Sequence, residues 1–358
     1  MTSHFIQKKI IIITRICFVI SSYFNFILMK NFVLLAISIL SLASCSSNKK
    51  TGEAVVFTWN DFQSEVTLKG KTLTFDDDVM MPFSVQVFDS VLVSLEPAND
   101  RICQLFNLNT GTKIGGRLKS GEGPNEMIMP MFVNNGKGVQ FIDMASATVY
   151  NYEWNHFLTE DNPTPSSKVK LAESVDSEMQ MLGEHFVGYQ YFKEDLLYLF
   201  DKQGQKIKSF AGFPDGKIET PNEQRSDMYQ MGYVSNGKDR VAITYYMTDI
   251  IEIFDADGKL VCHLQGPENF DYDLGKDAFF SPKNVGDSFF VLYNGRSRNE
   301  KEHNSSCTKL LSFSWDGTPE CIYTLDDPIF TFCVDKQKRK VYGVSTTPEY
   351  HIVEYVLP

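Results

Sequence analysis

Leu-Tyr-Leu-Phe-Asp-Lys-Gln-Gly at 197–204, Ile-Glu-Ile-Phe-Asp-Ala-Asp-Gly at 251–258 and Leu-Leu-Ser-Phe-Ser-Trp-Asp-Gly at 310–317 are three copies of one phrase. Each is a short apolar run, an aromatic anchor and a turn closed by glycine. Weaker copies are Cys-Gln-Leu-Phe at 103–106, Val-Tyr-Asn-Tyr at 149–152 and Ile-Val-Glu-Tyr at 352–355. The anchors are therefore Phe106, Tyr152, Phe200, Phe254, Phe313 and Tyr355, spaced by 46, 48, 54, 59 and 42 residues. Three places before them stand Cys103, Val149, Leu197, Ile251, Leu310 and Ile352, all apolar. Neighbours in a strand point to opposite faces, so apolar residues at an odd separation mean a strand buried on both sides. That is the situation of a sheet held between two other sheets.

Working outward, the Asp/Gly turn is followed by a further strand, as at 206–210 and 259–264, so each unit contains a hairpin. Upstream lie two more short strands, for example 229–234 and 240–246. Four strands per unit, six times over, predict an all-β fold: a six-bladed β-propeller of four-stranded blades. The sixth anchor is three residues from Pro358, which leaves the last blade without an outer strand of its own. The segment 64–75 precedes the first full blade, and its pairing with the last blade would close the ring and cover the exposed edges. The domain boundaries predicted are thus 63–358 for the propeller and 46–62 for a tether.

The first 45 residues have a different character. From Met29 a Met-Lys-Asn start leads into an apolar run over 32–40 and then Leu42-Ala43-Ser44-Cys45, the order of a signal peptide. The last four residues resemble the bacterial lipobox, which implies lipid on Cys45. A second apolar stretch containing Lys8, Lys9 and Arg15 precedes Met29, so translation is expected to start at Met29. The competing reading is one transmembrane helix over 10–42, but Lys30 and Asn31 interrupt that run. Removing residues 1–45 takes away four basic residues and no acids, so 34 minus 45 becomes 30 minus 45, a net charge of −15. So acidic a chain argues against nucleic acid as a partner. Beyond Cys45 the cysteines are Cys103, Cys262, Cys307, Cys321 and Cys333, an odd number whose spacing fits neither a disulfide framework nor a metal knuckle. They read as buried strand residues, with a single bridge left open.

The repeat series, together with Ser120-Gly121-Glu122-Gly123-Pro124-Asn125-Glu126 after the first blade, resembles the TolB-like six-bladed β-propeller lipoproteins of Bacteroidetes over the chain from about residue 60 onward. Asp100-Arg101-Ile102 with Phe106 is similar to a phrase of NHL-type propellers, in one blade only. The resemblance implies an outer-membrane lipoprotein. Ser46-Ser47-Asn48-Lys49-Lys50 lacks the acidic run that marks surface export in Bacteroides, which points to the periplasmic face.

Propellers collect variable loops on one face around a central channel, and that is where a ligand is sought. The predicted strand order puts 96–101, 121–126, 191–195, 246–249 and 294–306 there. Candidate binding residues are accordingly Arg101, Glu122, Asn125, Tyr191, Lys193, Tyr246, Arg296 and Arg298. The loop 294–306 is the longest, with Glu300, Lys301, Glu302 and His303 besides its arginines. It is either a clamp for an anionic or carbohydrate ligand or a solvated insertion. Gly121-Glu122-Gly123-Pro124 either offers backbone amides to a ligand or is a tight crossover between blades. Asp255-Ala256-Asp257-Gly258 lacks the further ligands of a calcium loop and reads as a hairpin turn. Asp76-Asp77-Asp78 reads as a solvated loop. No nucleophile elbow or zinc-binding helix is present, and His156, His185, His263 and His303 have no metal-site spacing. His156 stands where other copies have the turn glycine.

No cofactor is predicted. The expected function is a binding or scaffold module for an envelope protein or glycan. The rival is a hydrolase resembling six-bladed calcium lactonases and esterases, which would require Glu, Asn and Asp side chains from several blades to meet in the channel.

Overall fold

The computed structural model describes residues 54–97, 99–134, 138–214, 221–300 and 306–358. The signal segment, the start at Met29, Cys45 and residues 46–53 of the tether lie outside them, as do Lys301, Glu302 and His303. Residues 51–358 form one compact unit. Its strands fall into six antiparallel sets of four. Blade I is Ser84–Phe88, Val91–Leu95, Arg101–Asn107 and Thr112–Lys119. Blades II to V follow at 130–170, 179–212, 231–265 and 279–329. Blade VI takes three strands from 331–356 and its fourth from Lys71–Leu73, which pairs antiparallel with His351–Val356. The innermost strands of successive blades adjoin around the ring, with Thr331–Asp335 of blade VI beside Ser84–Phe88 of blade I.

All six anchors fall on third strands and all are buried, as are the six apolar residues three places before them. Their opposite faces enter different cores. Cys103 and Leu105 pack with Phe141 and Tyr152 of blade II, whereas Phe106 packs with Tyr342 and Cys333 of blade VI. The hydrophobic core is thus divided into layers between blades, and every blade is held from both sides. The five cysteines beyond Cys45 are buried strand residues, and among the described residues none forms a disulfide. Burial pushes the Cys307 thiol up to about 12.

The repeat glycine has a packing role. The turn between third and fourth strands of each of four blades abuts the outermost strand of the blade before it. A Cβ on Gly111 would sit 2.7 Å from the Thr74 carbonyl oxygen, and one on Gly258 2.7 Å from Phe210 Cβ. On Gly317 it would sit 2.8 Å from Cys262 Sγ, and on Gly204 it would run into the Lys170 carbonyl. All four glycines have positive φ, so both dihedral and space require glycine. Blade II departs from the pattern. Its third strand is followed by helix α1 (Trp154–Thr159), which carries His156 and buries Phe157 in place of a tight turn. A second helix, α2 (Asn222–Met228), lies in the crossover between blades III and IV.

The N-terminal segment corrects two expectations. The stretch 64–75 is two strands, not one. Ser64–Leu68 pairs parallel with the outer strand of blade V, and only Lys71–Leu73 completes blade VI. Gly70 makes the break: a Cβ there would lie 2.5 Å from Val353 Cγ1. Residues 54–62 are not a free tether either. Val55–Val56 pairs parallel with the outer strand of blade IV. Phe57 is buried between blades IV and V, edge-on to Phe313 at 5.5 Å, and Trp59 meets Tyr293 at 5.2 Å. Aromatic burial, not strand periodicity, holds this segment, so a search for alternation passes over it.

Candidate binding face

Turns joining first to second and third to fourth strands share one face of the ring. The loops between second and third strands and the crossovers between blades share the other, here termed the loop face. Buried carboxylates lace these loops together. At the end of a second strand, Glu96 accepts the amide of Met80 at 3.0 Å. Asp143 accepts those of Ile128 and Met129 at 3.2 and 2.9 Å, and Asp249 those of Glu268 and Asn269 at 2.7 and 2.8 Å. For Glu96 and Asp143 the amides belong to the crossover arriving from the preceding blade, and for Asp249 to the crossover that leaves its own blade for blade V. Blade III uses the reverse arrangement, with crossover residue Asp176 accepting the Tyr191 amide at 2.8 Å. Burial pushes the Asp249 carboxyl up to about 7 against the opposing pull of its two amides, and burial likewise raises Glu96.

The candidate residues from the sequence are dispersed on this frame. Arg101 donates to the Asp161 carbonyl. Glu122 is exposed, and Asn125 takes the left-handed conformation, φ 65°. The glycine loop around them closes on its own Glu126, whose carboxylate accepts the Gly123 amide at 3.0 Å and pairs with Lys119 at 3.4 Å. Gly121 leaves room for that carboxylate. The Gly123 amide, with Lys119, holds Glu126 below the usual carboxylate range. The geometry is that of a crossover whose amides are answered from within.

Tyr191 and Tyr246 are brought near one another. Tyr191 lies edge-on to Tyr189 at 4.7 Å, and Tyr246 stacks on Phe280 at 5.0 Å. Burial raises both phenols, and each tyrosine's charge would further raise Tyr189. Lys193 is exposed at the adjoining loop tip. Arg298 lies over the Tyr272 ring at 4.7 Å, donates to the Tyr272 carbonyl at 2.9 Å and reaches Met247 Sδ at 3.0 Å. The Arg296 carbonyl accepts the Asp277 amide at 2.9 Å. Arg298 thereby fastens its loop to the crossover between blades IV and V. Asp255 accepts the amides of Asp257 and Lys259, as a hairpin turn does. Asp77 of the acidic triplet pairs with Lys113 at 2.7 Å.

Towards the channel, Glu178 at the entry to blade III pairs with Lys283 of blade V at 3.1 Å, passing over blade IV. The innermost strand of blade V is irregular between Phe280 and Lys283, with Ser281 at φ 50°. Gln86 of blade I donates to Asn134 of blade II. Among the described residues no three His, Cys, Asp or Glu side chains gather where they could hold a metal ion.

Two features were not anticipated. One is a Ser345–Asp327–His351 cluster, in which Asp327 accepts from Ser345 at 2.7 Å and bonds His351 Nε2 at 2.8 Å. Burial alone would depress His351, but the Asp327 carboxylate and the Glu349 carbonyl outweigh it and raise the imidazole. The carboxylate stands between serine and histidine, so the histidine is not placed to take the serine proton. The other is the distribution of exposed apolar side chains. Met80, Met81, Phe83, Ile128, Met129, Phe192, Leu274 and Tyr350 all lie in loops of the loop face. The other large apolar residues exposed among the described residues lie within strands, none in a turn of the opposite face.

A family model described as TolB-like 6-blade propeller-like matches residues 59–337. Among solved structures the chain is similar to a protein of Bacteroides fragilis NCTC 9343 described as exported. Identity is 14% and the TM-score 0.51, over 85% of this chain and 99% of that one. It is also similar to a member of the DUF4221 family from Bacteroides vulgatus ATCC 8482, with 9% identity and a TM-score of 0.55 over 81% and 97% of the two chains. At these identities the likeness is one of fold. No curated protein matches by sequence.

Proposed function

Since the chain belongs to the TolB-like six-bladed propeller family, we propose from that premise that it is a lipid-anchored binding module of the cell envelope, holding a protein partner on its loop face. The observation that carries this reading is the confinement of exposed loop apolar residues to that face. Apolar side chains grouped on one side of a soluble domain mark an interaction surface. Four of them, Met80, Met81, Ile128 and Met129, are non-aromatic, and the three methionines are flexible, which suits a protein surface better than the flat ring of a sugar. The lacing carboxylates support the same role, because they hold the loops that carry these side chains. The lipobox ending at Cys45 and the signal before it support export and anchoring, with the periplasmic side favoured by the residues that follow.

The test is affinity purification from envelope extracts with the wild-type chain and with a variant carrying Met80→Ser, Met81→Ser, Ile128→Ser and Met129→Ser. A protein retained by the wild type and lost from the folded variant is expected. Identical partners for both would refute the loop-face assignment.

A further inference from the structure

The loop face is acidic as well as apolar. Four of the crossovers on this face, 74–83, 120–129, 171–178 and 266–278, carry twelve acidic residues against one lysine. Some of these acids are answered within the molecule: Glu126 by Lys119, Glu178 by Lys283, and Glu268 by Lys276 at 2.6 Å. Those left at the surface stand beside the apolar tips. Asp78 is exposed two residues before Met80 and three before Met81, which are 47% and 51% exposed. Glu122 is exposed on the loop that ends in Ile128 and Met129, at 44% and 51%. Asp271 and Asp273 are exposed next to Leu274 at 56%, and Glu194 close to Phe192 at 54%. Of the basic side chains on this face, Arg101 is held on the Asp161 carbonyl and Arg298 on Tyr272, while Lys193 is exposed beside Phe192, so the acids outnumber the bases without being free of them.

We infer that the partner docks through a cationic amphipathic segment, its apolar side chains seated on Met80, Met81, Ile128, Met129, Phe192 and Leu274 and its Lys or Arg residues facing the carboxylates between them. This rests on the reading of the loop face as a protein-binding surface and names the chemistry of what it binds. Methionine-rich surfaces adapt to the apolar stripe of an amphipathic helix. A ring of carboxylates around such a surface selects for positive charge and repels an acidic segment. The same charge would speed encounter with a basic partner and make that rate sensitive to salt.

The experiment uses the compact unit from Thr51 onward and two fluorescent synthetic 18-residue amphipathic helices, one of Leu and Lys, the other of Leu and Glu. Fluorescence anisotropy should show that the Lys peptide binds and the Glu peptide does not. Affinity should fall by roughly tenfold or more between low and high salt, as exposed charges are screened. The set Met80→Ser, Met81→Ser, Ile128→Ser and Met129→Ser should weaken binding by about tenfold or more, in line with the loss of several apolar contacts. A second set, Asp78→Asn, Glu122→Gln, Asp271→Asn and Asp273→Asn, should flatten the salt dependence. Circular dichroism of both sets controls for folding, which these exposed positions leave intact. If the Glu peptide binds as well as the Lys peptide and the serine set weakens both, the charge assignment is overturned while the docking face stands. If the serine set changes neither peptide, both readings fall.

Discussion

At the scale of single residues, most side chains that matter on the loop face hold loops in place. Asp249 illustrates this. Its raised pKa means the folded protein holds the proton more tightly than the unfolded chain, so its contribution to stability is present below about pH 4. That contribution is lost as pH rises to about 7. Asp249→Asn keeps an oxygen for the Glu268 and Asn269 amides and removes the ionisation. The variant should gain up to about 4 kcal/mol relative to wild type between pH 4 and pH 8, read from urea unfolding at both pH values. An equal pH dependence in the two proteins would contradict this. The repeat glycines give a second residue-scale prediction. Gly204 and Gly237 both have positive φ, but a Cβ on Gly204 meets backbone whereas one on Gly237 meets nothing. Gly204→Ala should therefore cost about 2 kcal/mol more than Gly237→Ala in denaturant unfolding. The glycine position was visible in the sequence as part of a phrase. Its neighbour in the preceding blade was not, because that contact joins residues far apart in the chain. The lacing carboxylates were equally hidden, since Asp and Glu are ordinary in loops and only the crossover amides give these their role.

Among the elements, the third strands were the most legible. A strand buried on both faces constrains nearly every position, so Phe200, Phe254 and Phe313 arrive with the same companions each time. The N-terminal segment was partly legible. Its role in completing the last blade followed from the missing outer strand, but the division at Gly70 and the pairing of Ser64–Leu68 with blade V did not. Residues 54–62 looked like a tether because two paired residues and a single helical turn leave no periodic trace. Their packing makes a direct prediction. Phe57→Ala should destabilise the protein by about 3 kcal/mol, the usual cost of emptying a buried aromatic site, whereas a tether would lose nothing. The midpoint of chemical denaturation decides between them. Helix α1 shows the limit of the repeat: where Tyr152 is followed by Glu153 and Trp154 in place of an Asp/Gly turn, the weak copy had already signalled a different connection.

On the scale of the whole molecule, the propeller is a ring whose two faces differ in kind. One carries short turns, four of which abut the preceding blade, and the helix-bearing connection of blade II. The other carries long crossovers, exposed methionines and surplus negative charge. The fold could be read from strand periodicity, but the asymmetry could not, because whether Met129 or Phe192 is exposed depends on where the loops settle. Anchoring is tested at this scale too: Cys45→Ala should move the protein from the membrane pellet to the soluble fraction, and unchanged fractionation would contradict lipid attachment there. The central claim is that the loop face, and not the turn face, meets the partner. The most direct measurement places a photo-crosslinking amino acid in living cells at Met129 or Phe192 on the loop face, and at Asp257 or Lys338 in turns of the opposite face. The account predicts a discrete crosslinked protein from the first pair and none from the second. Crosslinks of equal yield from both faces, or from the turn face alone, would contradict it.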